Sequence, residues 1–531
     1  MRMPDTRVPV LIVGGGSVGL FAALFLAQRG IAALVVEQAA ELSIHPRATG
    51  LGPRTMEFLR QAGLADAVDA LAVDMSGGSL GKLSGPTLAE VQLPDGPAAP
   101  PTWTGWGPGQ IGPAMIRGIC AQDRLDSVLA PAAMEYGAAL RYSTRVGSVE
   151  QDESGVTAQL DDGTTVRAEY LIAADGVRSG IRDALGIGTT GPGALGNPKM
   201  SMLFRADLAP YTRGRHFTTC DVTGPAPGMF VTVDGAKDWI FHTDYRPEDG
   251  QSAEDFTEEH CRALIRTAVG DPALELELLS RLPWRARGLL ADEFQVGRIF
   301  LVGDAAHAVP PQGAFGLNTG AADAHNLAWK LAAVLRGQAG PGLLATYATE
   351  RRSIASDTLT QALLRVAHPR LHWDTSPTAG PARTAVGMAA APVVQLGYRY
   401  ASSAVIDPDP RLPDTEDVAL VLDGTPGSRL PHLWIGAQRS TLDLVGANFV
   451  LLAGPEGGVW AQAAERAAED LGIPLPATVI EVPEWPSRAG IDATGAVLVR
   501  PDQIIAWRSR ELVVQPAERL AAVLRQLLDR C

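Results

Sequence analysis

Gly14, Gly16 and Gly19 stand at the spacing of a dinucleotide-binding turn, and Glu37 follows at about the twenty-residue interval such a turn requires. Gly14 suits the tight turn, Gly16 lets backbone approach a pyrophosphate, and Gly19 lets a helix lie close on its strand. Ser17 and Val18 fall in the first turn of that helix, whose free N–H groups and positive dipole end would face the phosphates. Glu37 would accept hydrogen bonds from the ribose hydroxyls. Asp175-Gly176 and Gly303-Asp304 each end an apolar run, where an open α/β sheet keeps its ligands. By itself Asp175-Gly176 reads more simply as a turn. After Asp304 comes a stretch from Pro310 to Gly320 that contains Pro311, Gly313, Gly316, Leu317 and Asn318. Its prolines stiffen the chain, its glycines permit close approach, and the helix expected after Gly320 would aim its N–H groups inward. Three such elements in this order describe a chain that passes three times under one extended flavin dinucleotide.

The elements that must position these residues follow from apolar patterning. Residues 8–13 and 31–36 read as buried strands around a helix at 17–28, a βαβ unit. Residues 156–160, 164–168 and 170–174 read as further strands, the last running into Asp175. Residues 229–233 and 236–243 alternate around Asp234-Gly235, a hairpin signal. With Val233 opposite Ala236, Phe230 and Thr232 share a face with Trp239 and Phe241, a stripe suited to a flat polycyclic ligand or to a packed core. A strand at 299–302 and a helix at 319–335 follow, and a new βα alternation begins beyond about residue 405.

Length and composition bound the class. At 531 residues the chain exceeds a single core, and 46% hydrophobic with 20% charged residues is ordinary for a soluble globular protein. The net charge of −14 gives no footing for nucleic acid or an anionic membrane. The apolar stretch at 8–27 is broken by Gly14-Gly15-Gly16, so it is read as strand, turn and helix rather than a leader, and the protein as cytoplasmic. Cys120, Cys220, Cys261 and Cys531 form no CxxC and no metal-ligand spacing, which excludes a zinc site and a disulfide reductase.

Together the motifs resemble the single-component FAD-dependent aromatic hydroxylases, the group of para-hydroxybenzoate hydroxylase, and most of all the branch that oxidises aromatic polyketides. The marks are Val10-Leu-Ile-Val-Gly-Gly-Gly-Ser-Val-Gly-Leu20, His45-Pro-Arg47, Arg54-Thr-Met-Glu57, Ala174-Asp-Gly-Val-Arg-Ser179, Gly303-Asp-Ala-Ala-His307 and Asp323-Ala-His-Asn-Leu-Ala-Trp-Lys330. Leu430-Pro-His432, Ser440-Thr-Leu-Asp443 and Val499-Arg-Pro-Asp502 are similar to the thioredoxin-like domain appended in that branch; without a CxxC it is expected to pack or dimerise.

The resemblance implies a Rossmann-like FAD domain at 1–75, 105–195 and 285–395, an inserted antiparallel-sheet substrate domain at 76–104 and 196–284, and a thioredoxin-like domain at 405–531. It implies that Gly14, Gly16, Ser17, Val18, Gly19 and Glu37 hold the ADP half of FAD. Arg47 and Gln122 would lie near the flavin, Asp175 near the pyrophosphate, Asp304 on the ribityl chain, and Pro311 with Gly316, Leu317 and Asn318 at the ring. NAD(P)H, with NADPH favoured, would reduce the flavin; O₂ would then give a C4a-hydroperoxide that hydroxylates a polycyclic aromatic polyketide. Baeyer–Villiger or quinone-forming oxygenation is the alternative outcome, and a non-catalytic flavin scaffold the alternative class. A halogenase is disfavoured because no Trp-x-Trp-x-Ile-Pro stretch occurs. No acid–base dyad is legible: His307 reads as a loop histidine, and His216, His242 and Tyr245 as sheet residues, with Pro311 and Arg47 nearest the expected chemistry.

Overall fold

The computed structural model describes residues 6–95, 111–374, 376, 378–409 and 422–530. The expected domain junction at 104/105, the residues 410–421 near the head of the third domain, and Cys531 lie outside them.

The apolar run at the amino terminus forms β1 (Thr6–Val13), buried along its second half. Parallel strands flank it: β2 (Ala33–Val36) on one side and β7 (Thr165–Ala173) on the other. β4 (Ala139–Arg141) and β13 (Ile299–Leu301) extend the parallel sheet outward, and β5 (Val146–Asp152) and β6 (Gly155–Leu160) join as an antiparallel meander. The two strands anticipated at 164–168 and 170–174 are thus one, β7. Helices α1 (Ser17–Gln28) and α3 (Gln122–Glu135) pack on this sheet, with α2 (Pro53–Gln61) nearby. Near-continuous Val, Ile and Leu in β1, β2 and β7 follow from burial of both faces of a parallel sheet.

The second sheet comprises β3 (Lys82–Gly85), β8 (Thr189–Arg205), β9 (Thr219–Val222), β10 (Gly228–Thr232), β11 (Asp238–Asp244), β12 (Glu277–Ala291) and β14 (His307–Ala308). Its spine is the β8–β12 ribbon, bent by irregularities such as the register shift between Leu195 and Lys199. These strands run through the junctions anticipated at 195/196 and 284/285, because one ribbon serves both the inserted sheet and its connection to the parallel-sheet layer. The hairpin register also differs from expectation. Asp234 accepts the N–H groups of Ala236, Lys237 and Asp238 through one oxygen, widening the turn so that Thr232 pairs with Trp239 and Phe230 with Phe241. The shift is two residues, so the faces keep their parity. Helix α4 (Glu258–Val269) closes over one face.

Two long helices, α5 (Phe315–Leu335) and α6 (Gly342–Ala367), lead to the third unit. There, β15 (Val450–Ala453), β16 (Ala477–Val479), β17 (Ala496–Val499) and β18 (Ile505–Ser509) form a mixed sheet backed by α7 (Gly458–Leu471) and α8 (Pro516–Leu527). Trp329 of α5 inserts into that core, edge-on to Phe449 at 5.6 Å. No helix among the described residues is long and apolar enough to cross a membrane.

Candidate functional site

The turn between β1 and α1 shows a division of labour among its glycines. Gly14 has φ +108°, and a methyl group there would lie 2.3 Å from the Ala174 carbonyl oxygen. A methyl group at Gly19 would lie 1.9 Å from the carbonyl oxygen of Gly14. Both press the turn against the end of β7 and Asp175. Gly16 has φ −75°, and a methyl group there would meet nothing within 4 Å. Helix α1 starts at Gly16 with no side-chain cap and no acidic residue in its first turn. An open N–H cluster with clear space in front of it fits a pyrophosphate.

Neighbouring side chains refine the expected roles. Glu37 accepts the N–H of Gly15 at 2.7 Å and of Ala39 at 2.8 Å, leaving lone pairs for sugar hydroxyls. Ser17 is buried, and its hydroxyl donates to Asp126 of α3 at 2.5 Å, so only its backbone N–H is left for a phosphate. Burial pushes the Asp126 carboxyl up to about 7, with Ser17 and Gln122 hydrogen-bonded to it. Val18 directs its methyls at Gly303 and Gly320, a packing role that explains why those positions carry no side chain. Asp175 accepts the Ile181 N–H through one oxygen at 3.2 Å, while its other oxygen is buried without a partner.

At the far end the Gly303-Asp304 turn is anchored from behind. Asp323 of α5 accepts the Gly303 N–H at 3.0 Å and lies 2.7 Å from Nε2 of His307; its other oxygen accepts from Arg351 of α6 at 2.7 Å. Burial would raise Asp323, but Arg351 and His307 overcome it and hold the carboxyl below its usual range. His307 is therefore bound by a carboxylate rather than by backbone. Asp304 is ringed by protein, and burial raises its carboxyl against the pull of His307 and Arg47, yet solvent reaches its side chain. A group both enclosed and accessible lines a trough.

Arg47 reaches that trough on a strap at 45–52. Cys120 and Gln122 donate to the carbonyls of Thr49 and Ala48, and Asn318 bonds Gly50 and Gly52. Asn318 also accepts from Thr55 and donates to Ala314, so its side chain is fully committed between strap, α2 and the start of α5, and none of it is free for a ring. Helix α5 begins at Phe315, following Ala314 at φ 54°. The free N–H groups at the ring end are thus those of Gly316, Leu317 and their neighbours, four residues earlier than expected. A methyl at Gly316 would meet nothing within 4 Å, Pro311 is exposed beside it, and Gln312 Oε1 is buried without a partner. Open N–H groups, orphaned acceptors and a solvent-reached carboxylate fit an extended flavin dinucleotide laid from Glu37 to Pro311.

The aromatic stripe lies elsewhere. Phe230, Trp239 and Phe241 do share one face, but α4 covers it: they pack with Phe204, Phe217 and Ile265, and Thr232 is buried among them with its hydroxyl on the Gly235 N–H. These four residues build a core rather than a substrate surface. The opposite face meets the flavin layer, as the packing of Leu203, Val231 and Ile240 against Ala121 shows. There Met229, His242, Ser280, Leu282 and Trp284 stay half-exposed, and His242 meets Trp284 edge-on at 5.5 Å.

His45 joins this face to the strap: Nδ1 lies 2.5 Å from the Ser280 hydroxyl and Nε2 lies 2.7 Å from that of Ser201. Burial, with Arg47 adding to it, pushes His45 down to about 4. Burial likewise pushes His242 down to about 3. Sequence reasoning left His45, Ser201 and Asp323 without roles. A lone serine between Met200 and Met202 in an apolar strand was the available signal for Ser201.

Residues 7–362 match the family model described as an FAD binding domain, and residues 423–531 match that of the aromatic-ring hydroxylase C-terminal domain. The chain is 38% identical to tetracenomycin A2 monooxygenase-dioxygenase of Streptomyces glaucescens, over 99% of this chain and 98% of that protein. It is 40% identical to 4-methyl-5-nitrocatechol 5-monooxygenase of a Burkholderia species, over 99% and 98%. The crystal structure of aklavinone-11 hydroxylase with FAD and aklavinone superposes with TM-score 0.85 at 38% identity, covering 99% of this chain and all of that one.

Proposed function

Because this chain belongs to the FAD-dependent aromatic-ring hydroxylases, we propose that it hydroxylates a polycyclic aromatic polyketide of tetracenomycin, anthracycline or angucycline type at the expense of NADPH. The observation that carries the reading is the half-open face of Met229, His242, Leu282 and Trp284, set against a trough that holds Asp304 and Arg47. A flat apolar ring system matches such a floor better than a small phenol does. When bound, the flavin supplies the redox chemistry, accepting a hydride from the nicotinamide and activating dioxygen for transfer of one oxygen atom.

The chain's own residues orient and insulate. The free N–H groups at the start of α5 and the Arg47 guanidinium place positive potential at the ring end, where negative charge develops on reduction. His242 is neutral at physiological pH. The long 3.4 Å contact from the Trp284 indole N–H to its Nδ1 puts the ring proton on Nε2, a donor for a substrate carbonyl or phenolate oxygen. Strap, sheet and α5 line the trough, so that a flat substrate seated on the sheet face would complete its closure and keep water from the reacting centre. The enzyme works in the cytoplasm, in keeping with Cys120, Cys220 and Cys261 being buried and unpaired.

The test is NADPH oxidation in air by the full chain against a panel of tetracyclic and angucyclic aromatics, with product analysis under ¹⁸O₂. Stimulated oxidation and one labelled oxygen in a new phenol support the proposal. A labelled lactone would establish Baeyer–Villiger insertion instead. Bound FAD with no stimulation by any member would leave a flavin scaffold.

A further inference from the structure

The loop at 500–503, which follows β17 in the third unit, enters the buried side of the flavin layer with charged side chains. Arg500 is wholly buried and donates to both oxygens of Glu350 on α6 (2.6 and 2.9 Å) and to both of Asp502 (2.9 and 2.5 Å). Glu350 also accepts from Lys330 and Asn326 of α5, each at 2.7 Å. On the other side, Gln503 and the Asp502 carbonyl accept from Arg54 of α2, both at 2.6 Å. Arg54 and Arg429 both pair with Glu57.

We propose that the 500–503 loop is a positioning element of the flavin site, holding the Gly303-Asp304 turn through α6 and the Arg47 strap through α2. The first arm runs from Arg500 to Glu350, whose neighbour in sequence, Arg351, grips Asp323 and with it the Gly303 N–H. Tyr400 ties the two guanidiniums: Arg500 stands 5.3 Å from its ring centroid, and Arg351 donates to its hydroxyl at 3.0 Å. The second arm runs from the loop to Arg54 and Glu57, while Thr55 between them bonds Asn318, which holds Gly50 and Gly52. Removing one partner of a buried ion pair leaves an uncompensated charge, and a close-packed interior transmits the resulting strain. Removal of Arg500 therefore displaces its partners instead of merely weakening them. This inference rests on the trough being the flavin site.

The test compares FAD dissociation constants of the full wild-type chain with R500Q, D323N, the double variant and D443N. The last loosens the part-exposed Arg60–Asp443 pair, which joins the third unit to the far end of α2 without contacting Arg54, Thr55 or Glu57, the side chains through which the second arm acts. Measurements are made well below each chain's unfolding temperature, where a purely stabilising contact leaves the dissociation constant unchanged. R500Q is expected to weaken FAD between about 5- and 150-fold, the usual span of site-to-site coupling, and D443N to leave it unchanged. The double variant is expected to lose less than the product of the single losses. If R500Q does not fold, R500K decides, since it keeps the charge but lacks the fork of donors that binds both oxygens of each carboxylate. FAD binding within about twofold of wild type by the foldable Arg500 variant, less than a single lost hydrogen bond, overturns the proposal. Failure of the wild-type chain to bind FAD would instead sink the trough reading and this one with it.

Discussion

Substituting Gly16 and Gly19 each by alanine separates cofactor approach from packing. Gly16 sits at φ −75°, ψ 176°, open to any residue, and a methyl there touches nothing. Gly16→Ala should therefore leave the cofactor-free fold intact, or gain about 0.4–1 kcal/mol from the stiffer unfolded chain. The same methyl occupies the space in front of the α1 N–H groups. Losing two charge-assisted hydrogen bonds to a pyrophosphate, at about 1.5 kcal/mol each, weakens binding on the order of 100-fold. With FAD at about 100 times the wild-type dissociation constant, wild type gains about 2.7 kcal/mol from the ligand and the variant about 0.4 kcal/mol. Gly16→Ala is thus the equal of wild type, or better, without FAD and worse by about 1–2 kcal/mol with it, an inversion of sign. Gly19→Ala should lose about 1–3 kcal/mol or more in both states, because the clashing atom is the Gly14 backbone oxygen at 1.9 Å. Chemical unfolding with and without FAD reads both. Gly16→Ala that binds FAD like wild type, or that is destabilised without it, would refute the division of labour.

Acid lability should follow from the histidines. Unfolded His45 and His242 take up protons near pH 6.5, whereas the folded chain holds them neutral down to about 4 and about 3. The unfolded state therefore binds more protons across that window, and stability falls as pH drops through 6.5. His45→Asn should flatten this limb, measured as urea midpoints against pH; an unchanged slope would show that His45 is not the buried neutral group inferred. On the sheet, Phe241→Ala should cost about 3–5 kcal/mol of stability with KM unchanged in the folded enzyme. Trp284→Ala should raise KM several-fold, about what losing an aromatic stacking contact of 0.5–1.5 kcal/mol would give, with a smaller stability loss. The reverse pattern would return the substrate to the α4 side.

The nucleotide-binding elements were legible because their signals are local. The strands at 8–13 and 31–36, the helix at 17–28 and the closing turn at 303–304 rest on apolar runs ended by glycine or aspartate, and the structure differs there by only a few residues. Errors arose where a side chain altered the backbone locally. Asp234 widened the hairpin by capping three N–H groups, and Ala314 entered a left-handed conformation that starts α5 ahead of Gly320. Ser17 looked like a phosphate ligand because it stands in the first turn of α1. Its partner Asp126 lies 109 residues away, beyond the reach of any spacing argument.

The substrate face failed for a deeper reason. Alternation assigns residues to two faces but does not say which face a distant element will cover. Phe230, Trp239 and Phe241 were correctly grouped, and α4, which starts at Glu258 after the hairpin ends at Asp244, turned them into core. Aromatic residues suit burial in a core as well as a ligand pocket, and in this sheet the more aromatic side is the one that packs permanently. The side reserved for a transient ligand must tolerate water between turnovers, so it carries mixed residues such as Met229, His242 and Trp284. The same reasoning reaches the anchors. Arg54, Glu57, Lys330, Glu350, Arg351, Arg429 and Arg500 would all be read from composition as surface, yet every one is buried in ion pairs, and two of these pairs, Arg429–Glu57 and Arg500–Glu350, span units. Charges confined in this way cost desolvation that simple apolar packing would avoid, and here they surround the two segments that carry Asp304 and Arg47. Geometry at the flavin trough is what that cost maintains.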